Sequence, residues 1–172
     1  YMKVEAGEIF LLEEDKTTLR MMLHRGQAAE AFWTQNIFRV GEGYPGVVAE
    51  TCRPLISTDL ANDPNFQREA VVKAGFHQVL SIPLVSGERV MGVMSIATRS
   101  KAAFEDRGVQ MLTAVGAWAG LSIENARLHV NARRLAVLEE RNRIGIDLHD
   151  GIIQSIYGVG LALEGTKLLV DE

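Results

Sequence analysis

No proline occurs beyond Pro83, and the last third of the chain carries apolar residues at a fixed seven-residue interval. The series runs Leu121, Leu128, Leu135, Asn142, His149, Ile156, Leu163 and Val170. A second line, three residues on, holds Leu138, Gly145, Ile152 and Val159. From about Glu105 onward Leu, Ala, Arg and Glu dominate. The pattern predicts one very long helix, or two nearly collinear ones, to about Leu169. Sustained a/d spacing argues for a parallel coiled coil that continues into a helical bundle, with Asn142 fixing register at a cost in stability. The alternative is a surface helix packed on its own sheet. Roughly fifty helical residues at about 1.5 Å each outrun a domain of this size, which favours the coil.

The remainder is large enough for one domain, since 172 residues exceed the roughly 150 expected per domain. The hydrophobic share of 47% and charged share of 23% are those of an ordinary globular chain. The formal charge, 18 − 22 = −4, gives no bulk attraction for nucleic acid or an anionic membrane. The longest apolar run, Ala114 to Ile123, is too short and too rich in Gly and Ala to span a bilayer. No basic-then-apolar leader is visible. Cys52 is the only cysteine, which excludes an internal disulfide and a zinc site built on several cysteines. A reducing, cytoplasmic setting is expected, and both ends read as cut from a longer protein.

Residues Gly7 to Glu14 and Thr17 to Arg25 read as a hairpin turned by Glu13 to Lys16. In its second arm Leu19, Met21 and Leu23 alternate with Thr18, Arg20 and Met22, the pattern of a half-buried strand. A second hairpin joins Val79–Val85 to Val90–Thr98 through Ser86-Gly87-Glu88-Arg89. Between them lies a loop-rich middle. The cluster from Gly41 to Gly46 opens a short helix over roughly Val47 to Thr51. Pro54 to Thr58 reads as a strand, Asp59 to Asn65 as a polar loop, and Asn65 to Gly75 as a helix ended by its glycine.

The densest chemical signal is Glu140-Arg-Asn-Arg-Ile-Gly-Ile-Asp-Leu-His149-Asp150-Gly-Ile-Ile-Gln154. On a helix, Leu148, Ile152, Ser155, Val159 and Leu163 fall within one stripe, and His149 sits at its edge. Asp150 lies about 100° further round, with Gln154 one turn beyond it. A neutral, oriented imidazole is a competent nucleophile. An adjacent carboxylate can orient it or take its proton, and an amide can hold a water. The bland alternative is a helix that carries His-Asp on its polar margin.

This segment closely resembles the phosphoacceptor box of sensor histidine kinases, in the subfamily that pairs with response regulators bearing a helix-turn-helix output domain. The matching residues are Glu140-Arg141, Arg143-Ile144, Asp147-Leu148-His149-Asp150 and Gln154. Gly145 stands where a small residue, often alanine, is usual. The resemblance implies that His149 is the phosphorylated histidine, that Asp150 is the base assisting its attack on the γ-phosphate, and that Gln154 positions water for dephosphorylating the partner. It implies ATP and Mg as requirements of the parent kinase. The sequence contains no ATP-binding domain, so this portion is expected to be inactive alone.

The first 125 residues resemble a GAF domain. The resemblance rests on Gly41 to Ala49 with Arg53-Pro54 and Asp59, on Ser81 to Val85 with Gly92 to Ile96, and on Phe104-Glu-Asp with Ala119 and Ile123 to Leu128. It implies an α+β fold, an antiparallel sheet with flanking helices and a ligand pocket on one face, followed by the long signalling helix entering a dimeric bundle. The family's usual first helix is largely missing. Expected domains are therefore 1–125, the sensor; 126–139, the signalling helix; and 140–172, the first helix of the dimerisation and phosphoacceptor unit.

Trp33, Tyr44, Phe66, Phe76 and His77 are the candidate pocket lining, with plain core packing as the competing role. His77 as a haem ligand stays open, against the commoner satisfied histidine. Cys52 replaces a glycine common in GAF loops and is expected to be a buried, inert thiol. Cyclic-nucleotide GAF domains carry Asn-Lys, Phe and Asp-Glu. Here Ser100-Lys101 and Phe104 are followed by Gly108-Val109, which disfavours that ligand. The methionine sulfoxide reductases of this family need several cysteines, which excludes that enzyme. No metal site is expected. The partners implied are a second copy of the chain, in parallel, and a response regulator. The GAF domain as a ligand-free dimerisation or interaction module is the alternative.

Overall fold

The computed structural model describes residues 4–101 and 104–170, apart from the side chains of Asp150, Gln154 and residues 161–170. The chain divides into two compact units that meet between Asn125 and Ala126. The first contains β1 (Ala6–Leu12), β2 (Thr18–Gly26), α1 (Ala29–Trp33), β3 (Ile37–Arg39), α2 (Gly43–Thr51), β4 (Leu55–Ser57), α3 (Glu69–Lys73), β5 (Gln78–Ser86), β6 (Arg89–Thr98) and the first turns of α4 (Asp106–Val170). Its single six-stranded sheet has the order β3-β2-β1-β6-β5-β4, antiparallel throughout. The fold is α+β, as the sequence implied.

Both hairpins form. The Asp15 carboxylate accepts the Thr17 and Thr18 backbone N–H groups at 2.9 and 3.0 Å and both threonine hydroxyls. These bonds, the Thr18 hydroxyl first, hold Asp15 well below the usual carboxylate range. In the second hairpin Gly87 adopts φ +59°, which a two-residue turn requires at its first position. Pairing of β1 with β6 then joins the two hairpins across the middle of the sheet.

Strand register decides the two faces. Ala6, Glu8 and Phe10 lie in rows with Ala97, Ser95 and Val93, and these with Val79, Ser81 and Pro83. On this front face the core gathers Phe32 of α1, Tyr44, Val48 and Ala49 of α2, Val71 of α3, and Leu60 from the loop after β4. On the back, Leu80, Ile82, Met94 and Ile96 pack against Phe104, Val109 and Leu112. Further along α4, Gly116 and Gly120 lie directly on β5. A Cβ on Gly120 would meet the Val85 carbonyl oxygen at 2.3 Å, and one on Gly116 the Pro83 oxygen at 2.7 Å. Only glycine permits that approach. Ser86 and Arg89 clamp the same helix by bonding Glu124.

Several local expectations change. A bulge in the β1–β2 ladder leaves Met22 between the Ile9–Leu23 and Phe10–Met21 pairs, which reverses the facing of everything after it. Leu19 and Met21 are buried as expected, but Leu23 turns outward and His24 turns in. Helix α2 starts at Gly43 rather than Val47, with Pro45 in its first turn, where a missing N–H costs nothing. Helix α3 is confined to Glu69–Lys73. Cys52 is exposed rather than buried: it is the C-cap of α2, and φ +54° turns it out of the helix. That left-handed position also explains why glycine suits this loop.

The second unit is the continuation of α4 from Ala126 to Val170. Every described side chain in it is exposed, and among the described residues no helix is long and apolar enough to cross a membrane. Glu140 accepts two bonds from Arg143, at 2.7 and 3.0 Å, an exposed i,i+3 pair screened by solvent.

Candidate functional site

The β-strand register that builds the front face also lays a polar row across four strands: His24, Glu8, Ser95 and Ser81. Ser81 and Ser95 share a hydrogen bond of 2.7 Å and are fully buried. Glu8 stands on the inward side of an otherwise apolar strand and receives a two-pronged bond from Arg68, at 2.6 and 2.7 Å. Both side chains are 2% exposed. Arg68 also donates to the Phe32 carbonyl at 3.3 Å. Its guanidinium carbon lies 5.2, 5.6, 5.8 and 6.0 Å from the ring centres of Phe32, Phe38, Phe66 and Phe10. A positive charge is thus held by one carboxylate and the negative faces of four rings. His24 stacks on Phe32 at 4.8 Å. Among the described residues neither of its ring nitrogens has a hydrogen-bond partner, although both are buried.

Beside this cluster the Tyr44 hydroxyl donates to Asp63, whose other oxygen accepts the Asn65 N–H at 2.9 Å. Burial, then the Asp63 bond, pushes the Tyr44 phenol up to about 12. Burial works against the Asp63 carboxylate, yet the bonds from Tyr44, Asn65 and Ser57 hold it below its ordinary value.

Of the five candidate pocket residues, the fold brings together Tyr44, Phe66 and Phe76. Tyr44 and Phe76 are buried in one core with Phe32 and Leu60, and Phe66 packs edge-on to Tyr44. Trp33 does not join them; it is 44% exposed. His77 is half-buried, and its backbone ties strand to loop by bonds to Thr98 and Leu60. Phe32, Leu60 and Phe76 are packed together at the centre of the front core. Among the described residues no three His, Cys, Asp or Glu side chains cluster as metal ligands.

The charged pair at the centre of this face was not among the sequence candidates. Glu8 carried a signal, an acid in register with the inward Ala6 and Phe10. Its partner lies sixty residues away in a loop with no periodicity.

On the second unit, His149 is exposed on α4. Asp150 and Gln154 occupy helical positions one and five residues further on; their side chains lie outside the described residues. In this unit the described apolar members of the seven-residue series, Leu128, Leu135 and Ile156, are about equally bare at 59, 61 and 66% exposure. Leu138, Ile152 and Val159 of the second line are exposed too. Leu163 and Val170 lie outside the described side chains.

The six-stranded sheet thus carries three short helices over a buried polar row on one face and the first turns of a long helix on the other. The family model described as "GAF domain" matches residues 2–124, and the chain belongs to that family. It is 30% identical over 92 residues to the sensor histidine kinase YhcY of Bacillus subtilis (strain 168), covering 54% of this chain and 24% of that protein. It is 26% identical over 160 residues to the Nif-specific regulatory protein of Herbaspirillum seropedicae, covering 89% of this chain and 29% of that one. The chain therefore spans less than a third of either relative. Among solved structures, the GAF domain of a phosphoenolpyruvate-protein phosphotransferase from Coxiella burnetii superposes with a TM-score of 0.65 at 19% identity, over 74% of this chain and 76% of that one. That likeness is one of fold.

Proposed function

We propose that this chain is the sensory and phosphoacceptor portion of a cytoplasmic two-component sensor histidine kinase. A signal at the GAF domain controls phosphorylation of His149 and transfer of the phosphoryl group to a response regulator with a helix-turn-helix output domain. The observation that carries the reading is the run from Glu140 to Gln154, which sits on one uninterrupted helix that starts inside the GAF unit and exposes His149. The likeness to a sensor histidine kinase supports it.

In this reading residues 126–139 are the signalling helix and 140–172 the first helix of the dimerisation and phosphoacceptor unit. Two copies pair in parallel through Leu121 to Leu163, and the signal works by favouring one packing of the paired helices. ATP and Mg are required by the parent's catalytic domain. A His149 ring nitrogen attacks the γ-phosphorus of ATP, ADP leaves, and Asp150 takes the imidazole proton. Gln154, which cannot act as a base, holds the water that later hydrolyses the phosphorylated regulator.

In the full-length parent, Asp150→Asn should slow autophosphorylation by about 10²–10⁴-fold, the usual worth of a placed base. Gln154→Ala should spare that step and slow dephosphorylation of the regulator. The two rates, measured separately for each variant, check the assignment; parental autophosphorylation in Asp150→Asn would overturn it. The portion described here, mixed with ATP alone, should form no acid-labile phosphate.

A second reading, the GAF domain as a ligand-free interaction module, draws on one observation: the front face is filled by the chain's own Arg68. Thermal stabilisation by a ligand separates the two, because binding to the native state raises stability by mass action.

A further inference from the structure

The front-face cluster has the parts of a cation-binding site, and its occupant is a side chain of the protein itself. Phe10, Phe32, Phe38 and Phe66 surround a guanidinium whose fork is seated on Glu8. The carboxylate and the occupant differ in how they are anchored. Glu8 is on β1, which is paired on both sides in the middle of the sheet. Arg68 is the residue before a five-residue helix, at the end of a stretch from Thr58 that contains no strand or helix. The occupant can leave with a loop while the seat stays in the sheet. Next to the seat, His24 offers a buried donor and acceptor that nothing among the described residues uses.

We propose that this cage is an exchange site for a small guanidinium-bearing molecule, which displaces Arg68 from Glu8 and the four rings. Ligand and arginine present the same planar fork of N–H donors, so each satisfies the buried carboxylate in the other's absence. The carboxylate is never left unpaired, which is the condition for exchange at a buried charge. A neutral polar group on the ligand completes the site by bonding His24. Release of Arg68 frees the loop and α3, and that movement is the response. The proposal stands on the GAF unit alone, whatever becomes of His149.

Internal competition sets the expected affinities. A site open for a fraction f of the time binds with its intrinsic constant divided by f. Methylguanidinium is the probe and methylammonium, at equal concentration, the comparator. In the intact chain, methylguanidinium should bind saturably at sub-denaturing, millimolar concentration. The Arg68 Nε–Hε resonance, displaced by four ring currents, should move toward the position of a solvated arginine. Arg68→Ala, which empties the cage, should bind the same probe at least about ten-fold more tightly. Methylammonium should produce neither effect. Binding by the variant alone, with the Arg68 resonance of the intact chain unmoved, would make the cage a permanent seat and overturn the proposal. So would an equal response to methylammonium. If Arg68→Ala does not fold, the titration of the intact chain decides by itself.

Discussion

The two units use their apolar residues in opposite ways. In the GAF unit the core side chains Phe10, Phe32 and Phe76 are at most 1% exposed, and even a charged pair is closed off from water. In the unit from Ala126 onward, leucine and isoleucine recur along the helix, and none of those whose side chains are described is covered by its own chain. The first unit therefore carries its stability within itself. A long helix with a bare apolar stripe draws most of its stability from what packs on it. The contrast is between a self-contained core that holds a buried polar row and a helix whose described apolar side chains its own chain leaves uncovered.

The comparison can be broken most decisively at the helix. Replacing Leu128 and Leu135 together by Glu should abolish self-association, read as monomer mass in sedimentation at micromolar concentration, while the GAF unit still melts at its parental temperature. A parental mass that is already monomeric would remove the second copy as the partner. Next in size is the buried pair. Arg68→Ala should destabilise the GAF unit by about 3–5 kcal/mol, because it strands the Glu8 charge. The double change Glu8→Leu with Arg68→Met should recover most of that loss, measured by thermal unfolding. Smaller again is Gly120→Ala, which sets a methyl against the Val85 carbonyl and should cost about 1–3 kcal/mol. It should leave helix association unaltered.

The smallest expected effect is on pH dependence. Asp63 is held below its ordinary 3.8 in the folded chain. Its contribution is fully present above that value and is lost as pH falls from there through the lower folded one. Asp63→Asn should therefore flatten the fall of the melting temperature as pH drops below about 4. An unchanged slope would place the acid sensitivity elsewhere.

What could be read from sequence follows the same division. The hairpins were legible because alternation and turn residues are local, and the long helix because its repeat runs through many turns. Three-residue β3 and five-residue α1 carry too few residues to show a period. The bulge at Met22 was invisible because a ladder irregularity depends on the partner strand, and it alone decides that His24, not Leu23, faces inward. The candidate pocket was legible in part. Tyr44, Phe66 and Phe76 do share the front core, but aromatic character says nothing of which face a residue takes, and Trp33 lies outside. The Glu8–Arg68 pair joins positions that only the completed fold brings together.

The glycines behind β5 have a mechanical consequence. Side chains between packed elements act as springs, since a small displacement can be absorbed by a change of rotamer. At Gly116 and Gly120 the helix backbone rests on the strand backbone with no such spring between them. The same strand carries Ser81 on its opposite face, in line with Glu8. At that point the wall between the polar row and α4 is one strand thick and stiff, so a shift of β5 becomes a shift of the helix seated on it, with little lost to repacking.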